Sequence, residues 1–116
     1  PQKPYGDSFK KYFIYGATTE TIAEDSLRIF NIVGRAYGYL IDCAYIVDYR
    51  TKTEFMLSAV IYTNKRNSFG SGNYEFDTVG LPYFKELSLA LYSLEIRRKK
   101  KHPPDLEPVH FFKRNE

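Results

Sequence analysis

Leu40-Ile41-Asp42-Cys43-Ala44-Tyr45-Ile46-Val47-Asp48, then Tyr49-Arg50-Thr51-Lys52-Thr53, then Glu54-Phe55-Met56-Leu57-Ser58-Ala59-Val60-Ile61-Tyr62-Thr63: this run decides the fold. The first and last parts are dense in apolar and β-branched residues, and a short polar turn separates them. That pattern predicts an antiparallel hairpin. In the last part Phe55, Leu57, Ala59 and Ile61 fall on one face, and Met56, Ser58, Val60 and Tyr62 on the other. Both faces are largely apolar, so this strand is expected to be central or covered on both sides.

Two further strands precede the hairpin. Residues 9–15 are rich in aromatics (Phe9, Tyr12, Phe13, Tyr15) and end at Gly16. Residues 27–33 end at Gly34, and Gly34-Arg35-Ala36-Tyr37-Gly38-Tyr39 suits a tight connection. Residues 1–8 read as an irregular lead-in, and 18–26 as a loop or a short capped turn. After the hairpin, 64–77 is a loop rich in Asn, Ser and Gly. Pro82 suits the first turn of a helix. Leu81, Phe84, Leu87, Leu91 and Leu94 recur at spacings of three and four, which predicts an amphipathic helix over 81–98. His102-Pro103-Pro104 stops it, and 103–116 reads as an irregular tail. The expected architecture is α+β, with an antiparallel sheet of about four strands and a long C-terminal helix on one face.

Composition bounds the rest. A chain of 116 residues, 43% hydrophobic and 27% charged, fits one globular domain and not a disordered tract. Eleven tyrosines and nine phenylalanines favour strands. Cys43 is the one cysteine, which excludes an internal disulfide and a multi-cysteine zinc site. No apolar run reaches the ~20 residues that span a bilayer, and no signal peptide opens the chain. No cofactor motif is present. The first residue is Pro1, which is expected of a processed chain or a piece of a longer one.

The net charge is +3, but Arg97, Arg98, Lys99, Lys100 and Lys101 form one basic run and leave a mildly acidic remainder. A run without interleaved aromatics reads as a solvated helix end, where cations complement the negative pole of the helix dipole, and not as a nucleic-acid site. His102 and His110 sit in the tail beside prolines and read as solvated. Cys43 lies in an apolar strand with nothing basic beside it, and reads as a buried structural thiol. Asp42 is expected to orient a turn. A catalytic pair with Asp48 would need both carboxylates close together on one face.

The segment from Phe30 to Val47 carries a resemblance. Asn31-Ile32-Val33-Gly34, then Tyr37-Gly38, then Asp42-Cys43-Ala44 resembles the strand–turn–strand near the end of penicillin-recognising serine hydrolases, the class A β-lactamase and penicillin-binding-protein superfamily. There a Lys-Thr/Ser-Gly triplet ends a strand, and the next strand carries an Asp-x-Ala step. Glu54 to Tyr62 resembles the following core strand, and Asp77-Thr78-Val79-Gly80-Leu81-Pro82 the entry to the family's C-terminal helix. The resemblance runs from Tyr12 to Leu106 and corresponds to the C-terminal part of the family's domain. It implies a bacterial periplasmic or cell-surface location, acyl transfer through a Ser nucleophile lying outside this chain, and no cofactor.

This chain departs from the triplet. Ile32 stands in the Lys position and Val33 in the Thr/Ser position, so both polar groups are absent and only Gly34 is retained. The resemblance implies that the backbone N–H of Arg35 is one of two oxyanion-hole donors, a role that survives side-chain change. No catalytic residue is expected in this chain itself. Ser8-Phe9-Lys10-Lys11 fits Ser-x-x-Lys but lies too close to Gly34 and reads as accidental. Tyr62-Thr63-Asn64 and Ser71-Gly72-Asn73 fit the family's second motif, but in the wrong order. The other function class is a non-catalytic binding or assembly module. Four strands and one helix cover a single sheet face. The expected partner for the other face is the parent's missing N-terminal part or a second copy of the chain.

Overall fold

The structure, a computed structural model, describes residues 11–17, 26–65, 70 and 72–112, with backbone alone at 111 and 112. Three strands, β1 (Leu27–Ala36), β2 (Tyr39–Asp48) and β3 (Thr53–Tyr62), form one antiparallel sheet in the order β1-β2-β3. Helix α1 (Leu81–Arg97) follows, so the α+β arrangement with a C-terminal helix holds. No helix among the described residues is long and apolar enough to cross a membrane.

Turn chemistry sets the register. Tyr37 and Gly38, with φ of 53° and 92°, make the two-residue left-handed turn between β1 and β2. A Cβ on Gly38 would come within 2.7 Å of Asn64 Cβ, so only glycine fits both the φ and the space. At the other end, Asp48 Oδ1 accepts the N–H groups of Arg50 (2.9 Å) and Thr51 (3.4 Å), an Asx turn that closes the β2–β3 hairpin.

The expected strand over residues 9–15 is corrected. Phe9 and Lys10 lie outside the described residues, and residues 13–17 form tight turns. Ile14, Gly16 and Ala17 all have positive φ (66°, 61° and 56°), which no strand tolerates. Tyr12, Phe13, Ile14 and Tyr15 are nevertheless buried in the core. The reading of Ser8 and of 1–8 and 18–25 also falls outside the described residues.

This buried strap lies between sheet and helix. Phe13 packs on Phe84 with ring centroids 5.2 Å apart. Leu81, Phe84 and Ser88 are the buried residues of α1, with Leu89 and Tyr92 packed beside them. The expected stripe is therefore rotated: Leu94 is 53% exposed, and the polar Ser88 takes the core position. Gly80 lets the helix start close to the sheet, since a Cβ there would meet Leu40 Cδ2 at 2.8 Å. Before α1, residues Phe76–Gly80 form one π-helical turn inside what reads as the end of a loop.

The tail is not wholly irregular. Residues Glu107–Phe112 form a 3-10 helix, pinned where the Tyr49 hydroxyl donates to the Val109 carbonyl (2.6 Å). His110 meets the Tyr49 ring edge-on at 6.5 Å. Arg97 and Arg98 end α1, with Arg98 paired to Glu95 at 2.9 Å, and Lys100 Nζ donates to Thr53 Oγ1 at 3.1 Å. The basic run thus caps and anchors the helix end.

Candidate functional site

The sheet has two unlike faces. The face under the strap and α1 carries the rows Arg35–Leu40–Ile61, Val33–Asp42–Ala59, Asn31–Ala44–Leu57, Ile29–Ile46–Phe55 and Leu27–Asp48–Thr53. The opposite face carries Ala36–Tyr39–Tyr62, Gly34–Ile41–Val60, Ile32–Cys43–Ser58, Phe30–Tyr45–Met56 and Arg28–Val47–Glu54. On it Ile32 is 80% exposed, Met56 69% and Val60 61%. Tyr39 and Tyr62 pack together with centroids 4.7 Å apart, and Phe30 stacks on Tyr45 at 6.1 Å. No described element covers the first four of these rows; the end row is not bare, since Val47 is fully buried there.

Several expectations are corrected here. Among the described residues the order of strands makes β2 central and β3 an edge strand, and only one face of β3 is covered. Cys43 is exposed and not buried, because alternate residues of β2 point to the bare side; its Sγ lies 3.0 Å from Ser58 Oγ. Asp42 and Asp48 do share a face, but the five strand residues between them set them roughly 20 Å apart, so they are not a carboxylate pair.

Each carboxylate instead has a separate task. Asp42 is fully buried. Its Oδ2 accepts the backbone N–H groups of Tyr12 and Phe13 (both 3.3 Å), and Asn31 Nδ2 donates to its Oδ1 (3.1 Å). Lys11 Nζ in turn donates to Asn31 Oδ1 (2.7 Å). From the helix, Ser88 Oγ accepts the Ile14 N–H (2.7 Å) and donates to the Phe84 carbonyl (2.7 Å). Sheet and helix thus clamp the strap between them. Burial pushes the Asp42 carboxyl above the usual range, against the pull of Asn31 and the two backbone donors. At Asp48 burial also raises, but the Tyr92 hydroxyl and the turn's donors outweigh it and hold the carboxyl below that range. Tyr45, half-buried on the bare face, donates to Glu54 Oε2 (2.6 Å); burial first, and then that carboxylate, push its phenol up.

The four residues singled out in the sequence lie together near the turn end of β1. Ile32 projects to the bare face, and Val33 packs against the core. Gly34 faces the bare side, where a Cβ would meet nothing nearer than Ile41 Cβ at 3.8 Å. Nothing in the described chain therefore requires a glycine there. A two-residue turn makes Ala36 and Tyr39 a hydrogen-bonded pair, and the antiparallel alternation then turns the N–H and C=O of Arg35 away from β2. That outer edge of β1 meets no strand among the described residues. Of the second-motif matches, Tyr62 ends β3 and Thr63 is buried, bonding to the Gly38 carbonyl through N (2.6 Å) and Oγ1 (2.9 Å); Ser71 lies outside the described residues.

Among the described residues no group of three or more His, Cys, Asp or Glu is placed to hold a metal. Sequence reasoning missed Ser88 and Asn31, polar residues at covered positions whose partners lie far along the chain. The chain matches no family model, no curated protein and no solved structure.

Proposed function

We propose that this chain is the sheet-and-helix part of a β-lactamase-like serine hydrolase and that its bare face is covered by the N-terminal part of that domain. By itself it catalyses nothing. The observation that carries the reading is the conjunction, among the described residues, of an uncovered apolar face with an open edge strand at Gly34 and Arg35. An antiparallel sheet that faces water alternates apolar and polar. Here four rows on the uncovered side hold Ile, Val, Met, Phe and Tyr without a charged residue, and the charges Arg28 and Glu54 fall in the end row, where Val47 is buried. Such a face belongs under a second layer.

Gly34 supports the same reading. A strand glycine without a packing reason marks close approach by something outside the strand, and a substrate lying along β1 would be that. The outward turn of the Arg35 N–H supports a role for it as donor to a developing oxyanion, while the nucleophile and the other donor come from outside this chain. With Ile32 and Val33 in place of the triplet's polar residues, neither of these two positions supplies a side chain to move a proton or grip an acidic substrate. The exported location implied by the family goes with this proposal.

A fluorescent penicillin provides the test. The native protein, if longer than this chain, is expected to be acylated, and this chain alone is not. Acylation of this chain alone overturns the inert role. A second reading, assembly of two copies face to face, is favoured by one observation: Cys43 lies in the middle row of the bare face. Oxidation that gives a Cys43–Cys43 crosslinked dimer as the main product would select it over the hydrolase layer. A monodisperse monomer that excludes hydrophobic dyes would defeat both.

A further inference from the structure

At the turn end of the sheet a guanidinium is held between two rings with no counter-charge among the described residues. Arg35 lies over the Tyr12 ring at 5.4 Å and over the Phe76 ring at 5.2 Å, and its Nε donates to the Tyr12 hydroxyl at 3.0 Å. Two ring faces and one hydrogen bond fix the plane of the group. No carboxylate pairs with it among the described residues. Among the described residues its printed hydrogen bond uses Nε alone, and Arg35 lines a pocket of about 420 Å³ together with Ala36, Tyr37, Gly70, Gly72 and Tyr74.

A second donor meets the same space. The Tyr74 hydroxyl accepts the Gly70 N–H at 2.9 Å, which leaves its own proton free to donate. Gly70 and Gly72 both have positive φ (80° and 73°), and a Cβ on either would meet nothing within 4 Å, so these walls stay open. The volume falls within the range of small-molecule sites, roughly 300–1,000 Å³. A planar fork of donors, a phenol donor and aromatic walls match a carboxylate on a flat apolar body: the fork engages two oxygens of one carboxylate, and the rings take the flat body.

We propose that Arg35 and Tyr74 form a binding site for a small carboxylate ligand with an aromatic or similarly flat body. The site uses the side chain of Arg35 on the covered side of the sheet and is independent of the role given to its backbone N–H. The full chain, isotopically labelled, is titrated with benzoate while the Arg35 Nε–H and Gly72 amide resonances are followed. Saturable shifts confined to these groups are expected, with benzamide at least about tenfold weaker, since a charged hydrogen-bond partner is lost. Arg35→Lys keeps the charge, loses the fork, and is expected to weaken benzoate by about tenfold. Tyr74→Phe is expected to weaken it by a smaller factor, and it keeps the test open should Arg35→Lys fail to fold. Absence of saturation, equal binding of benzamide, or unchanged affinity in both variants overturns the proposal. Inorganic phosphate binding more tightly than benzoate overturns the carboxylate assignment.

Discussion

The two faces of the sheet reverse the usual arrangement. The covered face holds Asn31, Asp42, Asp48 and Arg35, while the face without cover holds Ile32, Ile41, Met56 and Val60. A buried polar group is tolerated when each donor and acceptor finds a partner. Asp42 meets that condition with three donors from two segments, and Asp48 with Tyr92 and its own turn. The covered face thus uses polar groups to fix which segment lies against it. On the bare face the polar pairs, Tyr45 with Glu54 and Cys43 with Ser58, join neighbouring strands of the sheet and reach no covering segment, so that face specifies mainly shape and hydrophobicity.

The contrast breaks first at the core. Phe84→Ala removes the ring on which Phe13 rests and is expected to cost about 3–5 kcal/mol in urea unfolding. Ile32→Ala on the bare face is expected to fall within about 0.5 kcal/mol. Equal costs for the two would mean that the bare face is already buried in solution. Next in size, Asp42→Ala leaves the Tyr12 and Phe13 amides and the Asn31 side chain without their acceptor, at about 1–3 kcal/mol. Amide exchange localises that loss: residues 12–17 should lose protection while β2 and β3 keep theirs. Uniform loss across the sheet would argue that the strap does not open separately.

Local pattern carried β2, β3, their hairpin and α1, because two-residue alternation and a leucine stripe are written in neighbouring residues. Residues 12–17 defeated the same logic. An aromatic run scores as strand, yet its conformation is decided by Asp42 and Ser88, which lie 29 and 74 positions away from their backbone partners Phe13 and Ile14. Tertiary bonding overrides β-propensity there. Ser88 was hidden for the matching reason: a polar residue at a core position reads as an error in the stripe until its partner is known. The tail failed likewise, since the bond from Tyr49 to Val109 has no local signature. At the candidate site, the positions of Ile32 to Arg35 on β1 were legible. The outward turn of the Arg35 amide needed the two-residue connection to be known, and the guanidinium's place between two rings needed the strap.

The two aspartates sharpen the comparison through pH, with opposite signs. Asp48 has its folded pKa below the unfolded value, so its stabilising contribution is present above the unfolded pKa of about 3.9 and is lost as pH falls through the folded pKa. Asp42 has its folded pKa raised, so the folded state holds its proton more tightly. Its contribution is greatest in acid and is lost as pH rises from the unfolded pKa through the folded one. Urea midpoints measured across the acidic range should therefore fall less steeply towards low pH in Asp48→Asn than in the wild type. In Asp42→Asn they should fall more steeply. Parallel curves for the two variants would contradict the assignment of opposite shifts.

The smallest effect tests the edge. Gly34 lies within β1, where glycine is disfavoured relative to alanine by roughly 0.5–1 kcal/mol. Added at Gly34, a Cβ would rest at ordinary contact distance, 3.8 Å from Ile41 Cβ. Gly34→Ala should therefore leave this chain folded and slightly more stable, by a few tenths of a kcal/mol up to about 1. If a substrate or a second layer approaches that backbone in the native protein, the same methyl group should slow acylation by a fluorescent penicillin there. A stabilised chain with undiminished acylation would mean that nothing approaches β1 at Gly34. The open edge would then owe its glycine to no partner, and the hydrolase reading would lose the support that this residue gives it.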